Sequence, residues 1–312
     1  MRRLKGINQT TDVLAKNHLK SLSDNSGGFR CPKKQLEKFL KKKHQRKWKT
    51  EFITKIVADF ENIIVAKPME LFRLAKKLGP VTNADFSKFI TQNLKYEQFR
   101  SSKLALDFIG NLGIKSCPYC NAQYVLSLDK EGKALCQFDH VISKDLYPYL
   151  SLSYFNLVPC CASCNHMKSN TDVLNEASFV HPFNDSFADK ILFKASSSAI
   201  NKFYTNGRTV RGDVNIIIDK LDNVDYHLDT FKLLEVYNEH HDFIDEIYLK
   251  SIMYNSSRRK ELTKLYVHSG QMTQEELDRL IYSTYMSKED INKRPLAKFH
   301  QDLIDQFNGL NS

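Results

Sequence analysis

Two pairs of cysteines with the same spacing bracket an aspartate–histidine pair near the middle of the chain. The cysteines are Cys117, Cys120, Cys161 and Cys164. Four thiolates from two C-x-x-C turns form a common ligand set for tetrahedral Zn²⁺. Such an ion has no open coordination position, so it would stabilise the fold rather than act on a substrate. Chemistry would then come from residues between the pairs, where Asp139 and His140 are the candidates.

The second cysteine pair has an alternative register, because Cys160 directly precedes Cys161. Cys160 and Cys164 have three residues between them and could also reach one metal ion. Cys161 and Cys164 have two residues between them, which repeats the spacing of the first pair. That repeat favours Cys161. Cys136 lies on a predicted strand and Cys31 lies far away in the sequence, so both are predicted to be unligated.

Local patterns place the aspartate–histidine pair at the end of a strand. Side chains alternate in two short segments, around residues 124–128 and 134–138, and the connection at residues 129–132 ends in a glycine. This pattern predicts two strands joined by a tight turn. The second cysteine pair is predicted to open a helix that carries Asn165, His166 and Lys168.

The motifs CPYC, FDHVISKDLYP, NLVPCCASCNHMKSN and FVHPFND resemble those of the HNH endonuclease superfamily, which has a ββα-metal active site. The resemblance covers roughly residues 115–185. It implies that His140 is the general base and that Asn156 braces the adjacent loop. It also implies that Asp139 and Asn165 hold a catalytic Mg²⁺ or Mn²⁺ ion.

One position departs from the family pattern, which has a histidine where this chain has Asn165. His166 follows directly and is the alternative metal ligand. Neighbouring helix residues point about 100° apart, so both side chains cannot face one ion without distortion. Asparagine can bind Mg²⁺ through its carbonyl oxygen, which favours Asn165.

The resemblance also implies a hydrolytic mechanism. Neutral His140 would take a proton from water, the hydroxide would attack phosphorus in line, and the divalent ion would stabilise charge on the phosphate and the departing 3′ oxygen. The products would carry 5′ phosphates. Oxygen ligands suit Mg²⁺ or Mn²⁺ and thiolates suit Zn²⁺, so ligand type would keep the two metals apart.

The chain carries 46 lysines and arginines against 36 acidic residues, and its net charge of +10 favours a polyanionic partner such as nucleic acid. Ten of these basic residues lie between Arg30 and Lys49, with few acids among them. Such a run indicates contact with a nucleic-acid backbone, and the alternative is a solvated helix face. The predicted contacts are Lys41, Lys42, Lys43, Arg46, Lys47, Lys144 and Lys168. Trp48 could stack on a base or be buried in the core.

Apolar residues at a spacing of three and four predict helices elsewhere in the chain. The predicted helices cover residues 52–64 and 233–252, with two more around 277–281 and 299–307. Short strand-like pieces are predicted within residues 193–218. The predicted fold is therefore α+β, with a small ββα-metal core and its four-cysteine zinc site embedded between mainly helical regions.

The predicted domains are an N-terminal arm at 1–28, a basic helical region at 29–112, the HNH module at 113–187 and a mostly helical region at 188–312. A hinge is predicted at residues 26–28, which contain two glycines. No apolar run approaches the roughly 18–20 residues needed to cross a bilayer, and the first residues lack the apolar stretch of a secretory signal. A cytoplasmic protein is expected.

Beyond the superfamily, the chain resembles the PtuB-like HNH effectors of bacterial Septu and retron-associated anti-phage systems, on the motifs above and the segment KRPLAKFHQDLIDQF. This resemblance implies a PtuA-like ATPase partner, joined in the retron form by a reverse transcriptase with its RNA–DNA product, that restrains the nuclease until infection. The substrate could be DNA or a folded RNA such as a tRNA. Two other interpretations stay open: a zinc-stabilised binding or adaptor module without catalysis, and an HNH DNA endonuclease that acts alone.

Overall fold

The computed structural model describes residues 1–24, 30–43, 45–128, 133–206 and 216–310. The predicted hinge at residues 26–28 and the predicted hairpin turn at residues 129–132 lie outside this described part. The chain forms two compact units. The first unit comprises Leu4–Ile114 and Val125–Ala177, and the second comprises Met1–Arg3, Lys115–Tyr124 and Ser178–Ser312.

The first unit begins with eight helices. They are α1 Thr11–Ser23, α2 Pro32–Leu40, α3 Lys47–Ala58, α4 Phe60–Val65, α5 Pro68–Leu78, α6 Ala84–Leu94, α7 Tyr96–Arg100 and α8 Lys103–Leu112. Side-chain caps fix several of these starts; for example, the Asn83 side chain accepts a hydrogen bond from Phe86 N at the start of α6. Gly113 follows α8 with φ 63, a conformation that glycine adopts without strain.

Two helix boundaries differ from the sequence-based predictions. The apolar spacing over residues 52–64 predicts one helix, but α3 ends at Ala58 and α4 begins at Phe60. Asp59 lies between them with φ −104 and ψ 12, and its side chain accepts a hydrogen bond from Asn62 Nδ2. Aspartate favours helix starts over helix interiors, which agrees with a helix boundary at this position. The basic run from Arg30 to Lys49 includes residues of α2, of the α2–α3 junction and of the start of α3.

The strands of the first unit form two small antiparallel sheets. Strand β1 (Ser127–Leu128) pairs with β2 (Lys133–Ala134), which agrees with the predicted hairpin over a shorter length. Strand β3 (Gln137–His140) pairs with β4 (Leu157–Cys160), so that Asp139 faces Val158 and His140 faces Leu157 in the register. Helix α9 (Ala162–Lys168) follows β4 and packs against β3. The ββα arrangement is therefore β3, β4 and α9.

In the part of the chain that the structure describes, the second unit has one sheet and mostly helices. Its elements are β5 Ile191–Ala195, α10 Ser197–Asn206, β6 Ile216–Lys220, α11 Asp225–Thr230, α12 Leu233–Asn238, α13 His241–Met253, α14 Ser256–Leu262, α15 Gln274–Tyr282 and α16 Ala297–Leu310. Strands β5 and β6 are antiparallel neighbours, and α16 packs against β5 and α13. The helix predicted over 233–252 is divided between α12 and α13, while the helices predicted around 277–281 and 299–307 are α15 and α16. The predicted α+β class is confirmed.

Candidate functional site

The four cysteines of the two C-x-x-C pairs meet in one buried cluster. Their Sγ atoms all lie within 4.8 Å of one another. The set is Cys117, Cys120, Cys161 and Cys164. Four thiols at this mutual distance fit the tetrahedral coordination of Zn²⁺, whose bonds to sulfur are about 2.3 Å long. Cys161, rather than its neighbour Cys160, belongs to the cluster, which decides the register that the sequence leaves open.

Backbone hydrogen bonds shape both cysteine turns. Asn121 N donates to Cys117 O at 2.8 Å, and Ala122 N donates to Cys120 Sγ at 3.4 Å. In the second pair, Cys161 is the cap of α9, and its Sγ accepts a hydrogen bond from Cys164 N at 3.4 Å. Hydrogen bonds from backbone N–H groups to sulfur favour the thiolate form that binds metal.

The side chain of Asn121 and the hydroxyl of Tyr237 hold the first turn from within the second unit. Asn121 Nδ2 donates to Ile291 O at 3.0 Å, and Tyr237 Oη donates to Cys120 O at 2.7 Å. Asn121 has a positive φ of 54, which asparagine tolerates better than most residues. Sequence reasoning missed both residues, because their partners lie more than a hundred residues away.

Asp139 and His140 lie at the end of β3, as predicted, and both side chains are buried. His140 Nε2 lies 3.0 Å from Ser151 O. A carbonyl oxygen can only accept, so Nε2 carries the proton and Nδ1 keeps its lone pair. The imidazole ring also packs edge-on against Tyr96, with 4.7 Å between ring centroids. These contacts fix both the orientation and the tautomer of His140.

The surroundings of His140 keep its ring neutral. The pKa of His140 is lowered from 6.5 to about 3, mainly because the ring is buried. The positive charges of Lys144 and Lys168 contribute to this lowering of the pKa, and the hydrogen bond to Ser151 partly opposes it. The Lys144 ammonium lies 4.8 Å from the centroid of the Tyr96 ring, and this ring packs against His140. A neutral imidazole with an available lone pair is the protonation state that a general base needs.

Asn156 is fully buried, and its side-chain amide forms hydrogen bonds with the loop that follows His140. Its Nδ2 donates to Ile142 O at 3.0 Å and to Leu150 O at 3.1 Å, while its Oδ1 accepts from Ile142 N at 2.7 Å. Three hydrogen bonds from one side chain hold both ends of the segment that leads to Ser151. The Ser151 carbonyl that orients His140 is thereby positioned.

The position of Lys168 differs from the sequence-based predictions, which are a contact with phosphate or a solvated lysine on the helix surface. Its side chain has no exposed surface. Its ammonium lies 3.2 Å from Asp139 Oδ1 and donates to His140 O at 2.7 Å. The helix spacing carries a signal for this, since Lys168 is four residues after Cys164 and shares its buried face of α9.

The two candidate ligands on α9 differ in exposure. Asn165 is half-buried and lies one turn before Lys168, which contacts Asp139. His166 is exposed on the next position around the helix.

The predicted nucleic-acid contacts at the α2–α3 junction lie on the surface. Exposed side chains there are Lys41, Lys42, Lys43, Arg46 and Lys47. Trp48 is 44% exposed, and the Lys49 ammonium lies 5.5 Å from its ring centroid. Trp48 also packs edge-on against Phe86 of α6, and the neighbouring Ser87 Oγ donates to Asp145 O in the loop after His140. This basic surface and the His140 loop are thus both attached to α6.

Comparison with known proteins agrees with this geometry. Residues 117–171 match the family model described as HNH endonuclease. The Septu protein PtuB of Bacillus thuringiensis is 28% identical over 123 residues, which is 39% of this chain and 42% of that relative. The match thus spans less than half the length of the curated relative. No solved structure matches the chain. These findings confirm the resemblance to the HNH superfamily and to PtuB.

Among the described residues, none forms a helix long and apolar enough to span a membrane.

Proposed function

We propose that this chain is a metal-dependent HNH endonuclease that hydrolyses phosphodiester bonds in DNA or in a folded RNA such as a tRNA. The observation that carries the proposal is the arrangement at the end of β3, where neutral His140 lies beside the Asp139 carboxylate. This arrangement falls inside the segment that matches the HNH family model.

In the proposed mechanism, His140 is the general base. Its Nε2–H stays hydrogen-bonded to Ser151 O, so Nδ1 accepts the proton of the attacking water. Asn156 keeps that carbonyl in place, and Tyr96 keeps the ring from rotating. Attack on phosphorus in line with the 3′ oxygen leaves a 5′ phosphate on the product.

Asp139 and Asn165 are the proposed ligands of the catalytic ion. The position next to the Asp139 carboxylate suits a cation, since the Lys168 ammonium lies 3.2 Å from Oδ1. Oxygen ligands of this kind suit Mg²⁺ or Mn²⁺, and a bound divalent ion stabilises charge on the phosphate and the leaving oxygen. The thiol cluster is proposed to hold a structural Zn²⁺.

We further propose that the chain is the effector of an anti-phage system and is restrained by a PtuA-like ATPase, in some systems together with a retron reverse transcriptase and its RNA–DNA. Support comes from the similarity to a protein named as Septu protein PtuB. Co-purification of the chain with an ATPase from its native operon tests this part of the proposal. Recovery of an active nuclease with no associated protein would favour an enzyme that acts alone.

The experiment that tests the activity is cleavage of end-labelled duplex DNA, single-stranded DNA and tRNA by the zinc-loaded chain. We expect scission of at least one polymer with Mg²⁺ or Mn²⁺, no scission when the divalent ion is left out, and 5′-phosphate ends. Products with 3′ phosphates, or cleavage that needs no divalent ion, would contradict the proposed mechanism.

The basic surface at the α2–α3 junction is proposed to bind the nucleic-acid backbone. Replacing Lys41, Lys42 and Lys43 by glutamine is expected to weaken binding and to lower the slope of log K against log salt by about 2–3, since each phosphate contact contributes about 0.7–0.9. Fluorescence anisotropy across a salt series measures both quantities.

The matched control replaces Lys260, Lys264 and Lys288, three exposed lysines of the second unit. The control variant loses the same net charge as the junction variant. We therefore expect it to change binding and the salt slope only through long-range electrostatics. Equal slopes for the two triple variants would show that the junction contributes charge alone and no phosphate contacts.

A further inference from the structure

The buried lysine of α9 lies at the carboxylate that the proposed function assigns to the metal ion. Lys168 carries a charge, yet its side chain has no exposed surface. Burial of an ammonium group is unfavourable unless a counter-charge and hydrogen-bond acceptors compensate for the lost water. Asp139 supplies the counter-charge and His140 O supplies an acceptor.

Burial of the Asp139 carboxylate is unfavourable for the same reason. The Asp139 side chain is 4% exposed, and without a cation nearby its negative charge would be buried at a similar cost. A divalent ion at Asp139 would lie close to the Lys168 ammonium, and two cations at such a distance repel each other strongly in a poorly solvated site. The lysine and the ion therefore compete for one carboxylate.

We infer that Lys168 is a built-in counter-ion of the metal-free site, which competes with the divalent ion for Asp139 and keeps the affinity for that ion low. This inference rests on the proposed role of Asp139 as a metal ligand. Lys168 is a positioning residue in this account, because it acts through Asp139.

The distances from the Lys168 ammonium to its two partners indicate which contact it would lose when an ion binds. The ammonium is closer to His140 O, at 2.7 Å, than to Asp139 Oδ1, at 3.2 Å. The backbone of Lys168 is fixed at the end of α9, where its carbonyl accepts hydrogen bonds from both N and Oγ1 of Thr171. The side chain can thus keep its contact with His140 O and give up the contact with Asp139, with no change in the helix.

The test is a Mn²⁺ titration of the full-length, zinc-loaded protein, followed by electron paramagnetic resonance of free Mn²⁺. Lys168→Gln removes the charge and retains an N–H donor for His140 O. We expect it to bind Mn²⁺ at least about tenfold more tightly than the wild type. Lys103→Gln is the matched control, because Lys103 also pairs with an aspartate, Asp107 at 2.5 Å, but is 81% exposed. Its Mn²⁺ affinity should equal that of the wild type.

Three results are decisive. Equal or weaker binding by Lys168→Gln, with the wild-type signal lost in Asp139→Asn, would overturn the inference and leave the proposed metal site intact. Binding that Asp139→Asn does not weaken would overturn the metal site and the inference together. If Lys168→Gln is unfolded without metal, Mn²⁺ is expected to restore its folding, since the ion replaces the missing counter-charge, and failure of that rescue would overturn the inference.

Discussion

Replacing Cys161 by serine is expected to remove the bound zinc and to abolish the cooperative unfolding of the region around the cysteine cluster. Structural zinc supplies about 10–16 kcal/mol of folding free energy in small metal-stabilised modules, which is comparable to the whole stability of a typical domain. Cys161 contributes one of the four thiols and also caps α9 through its Sγ. Serine retains the cap but is a poor zinc ligand, so the loss would come from the metal.

Cys160→Ser is the matched control for this prediction. Cys160 is the adjacent residue and is equally buried, but it lies on β4, outside the cluster. Its replacement should cost about 1–3 kcal/mol for the buried hydroxyl and leave the zinc content unchanged. Zinc content by atomic absorption and thermal unfolding by circular dichroism measure both effects. Zinc loss in Cys160→Ser with retention in Cys161→Ser would reverse the assigned register.

Replacing Asp139 by asparagine is expected to reduce divalent-dependent cleavage by at least about 100-fold, because a catalytic metal ion contributes several kcal/mol to transition-state stabilisation. Asparagine is preferred to alanine here. Asp139 is the counter-ion of the buried Lys168, and an amide oxygen can still accept a hydrogen bond from that ammonium. Single-turnover cleavage over a Mg²⁺ series measures the change.

Asp145→Asn provides the control for Asp139→Asn, since Asp145 lies on the loop that follows β3 and is exposed. We expect it to cleave at the wild-type rate. Wild-type cleavage by Asp139→Asn at every Mg²⁺ concentration would place the catalytic ion elsewhere in the chain.

The parts of the site that sequence reasoning predicts are those set by short-range spacing. Two C-x-x-C turns identify their own cysteines, and Asp139-His140 follows directly from an alternating segment. The register at Cys160 and Cys161 could not be decided in this way, because the choice depends on which thiol faces a turn forty residues earlier.

Strand β4 is not predicted, for a physical reason. All four of its residues, Leu157–Cys160, are buried, so the alternation that marks a half-exposed strand is missing, and it contains a proline. The sequence predicts only the pairing of residues 124–128 with residues 134–138. In the structure β3 pairs with β4, and these two strands form the ββα arrangement with α9.

The ion pair between Lys168 and Asp139 also lies beyond sequence reasoning. The two residues are 29 positions apart, and a lysine in a polar helical segment is normally exposed. Its burial depends on the packing of α9 against β3, which is a tertiary property. The functional consequence is that a residue expected to meet the substrate instead faces a candidate metal ligand.

The proposed proton transfer by His140 is tested by measuring binding and scission together in His140→Ala. We expect the variant to bind the cleaved polymer with the wild-type Kd and to cut it about 10²–10⁴-fold more slowly, since binding does not use the imidazole and general-base catalysis does. Equal cleavage rates for the two proteins would contradict this role of His140. So would a wild-type protein that binds nucleic acid and cuts none of the polymers even after release from any co-purifying partner, which is the behaviour of a binding module.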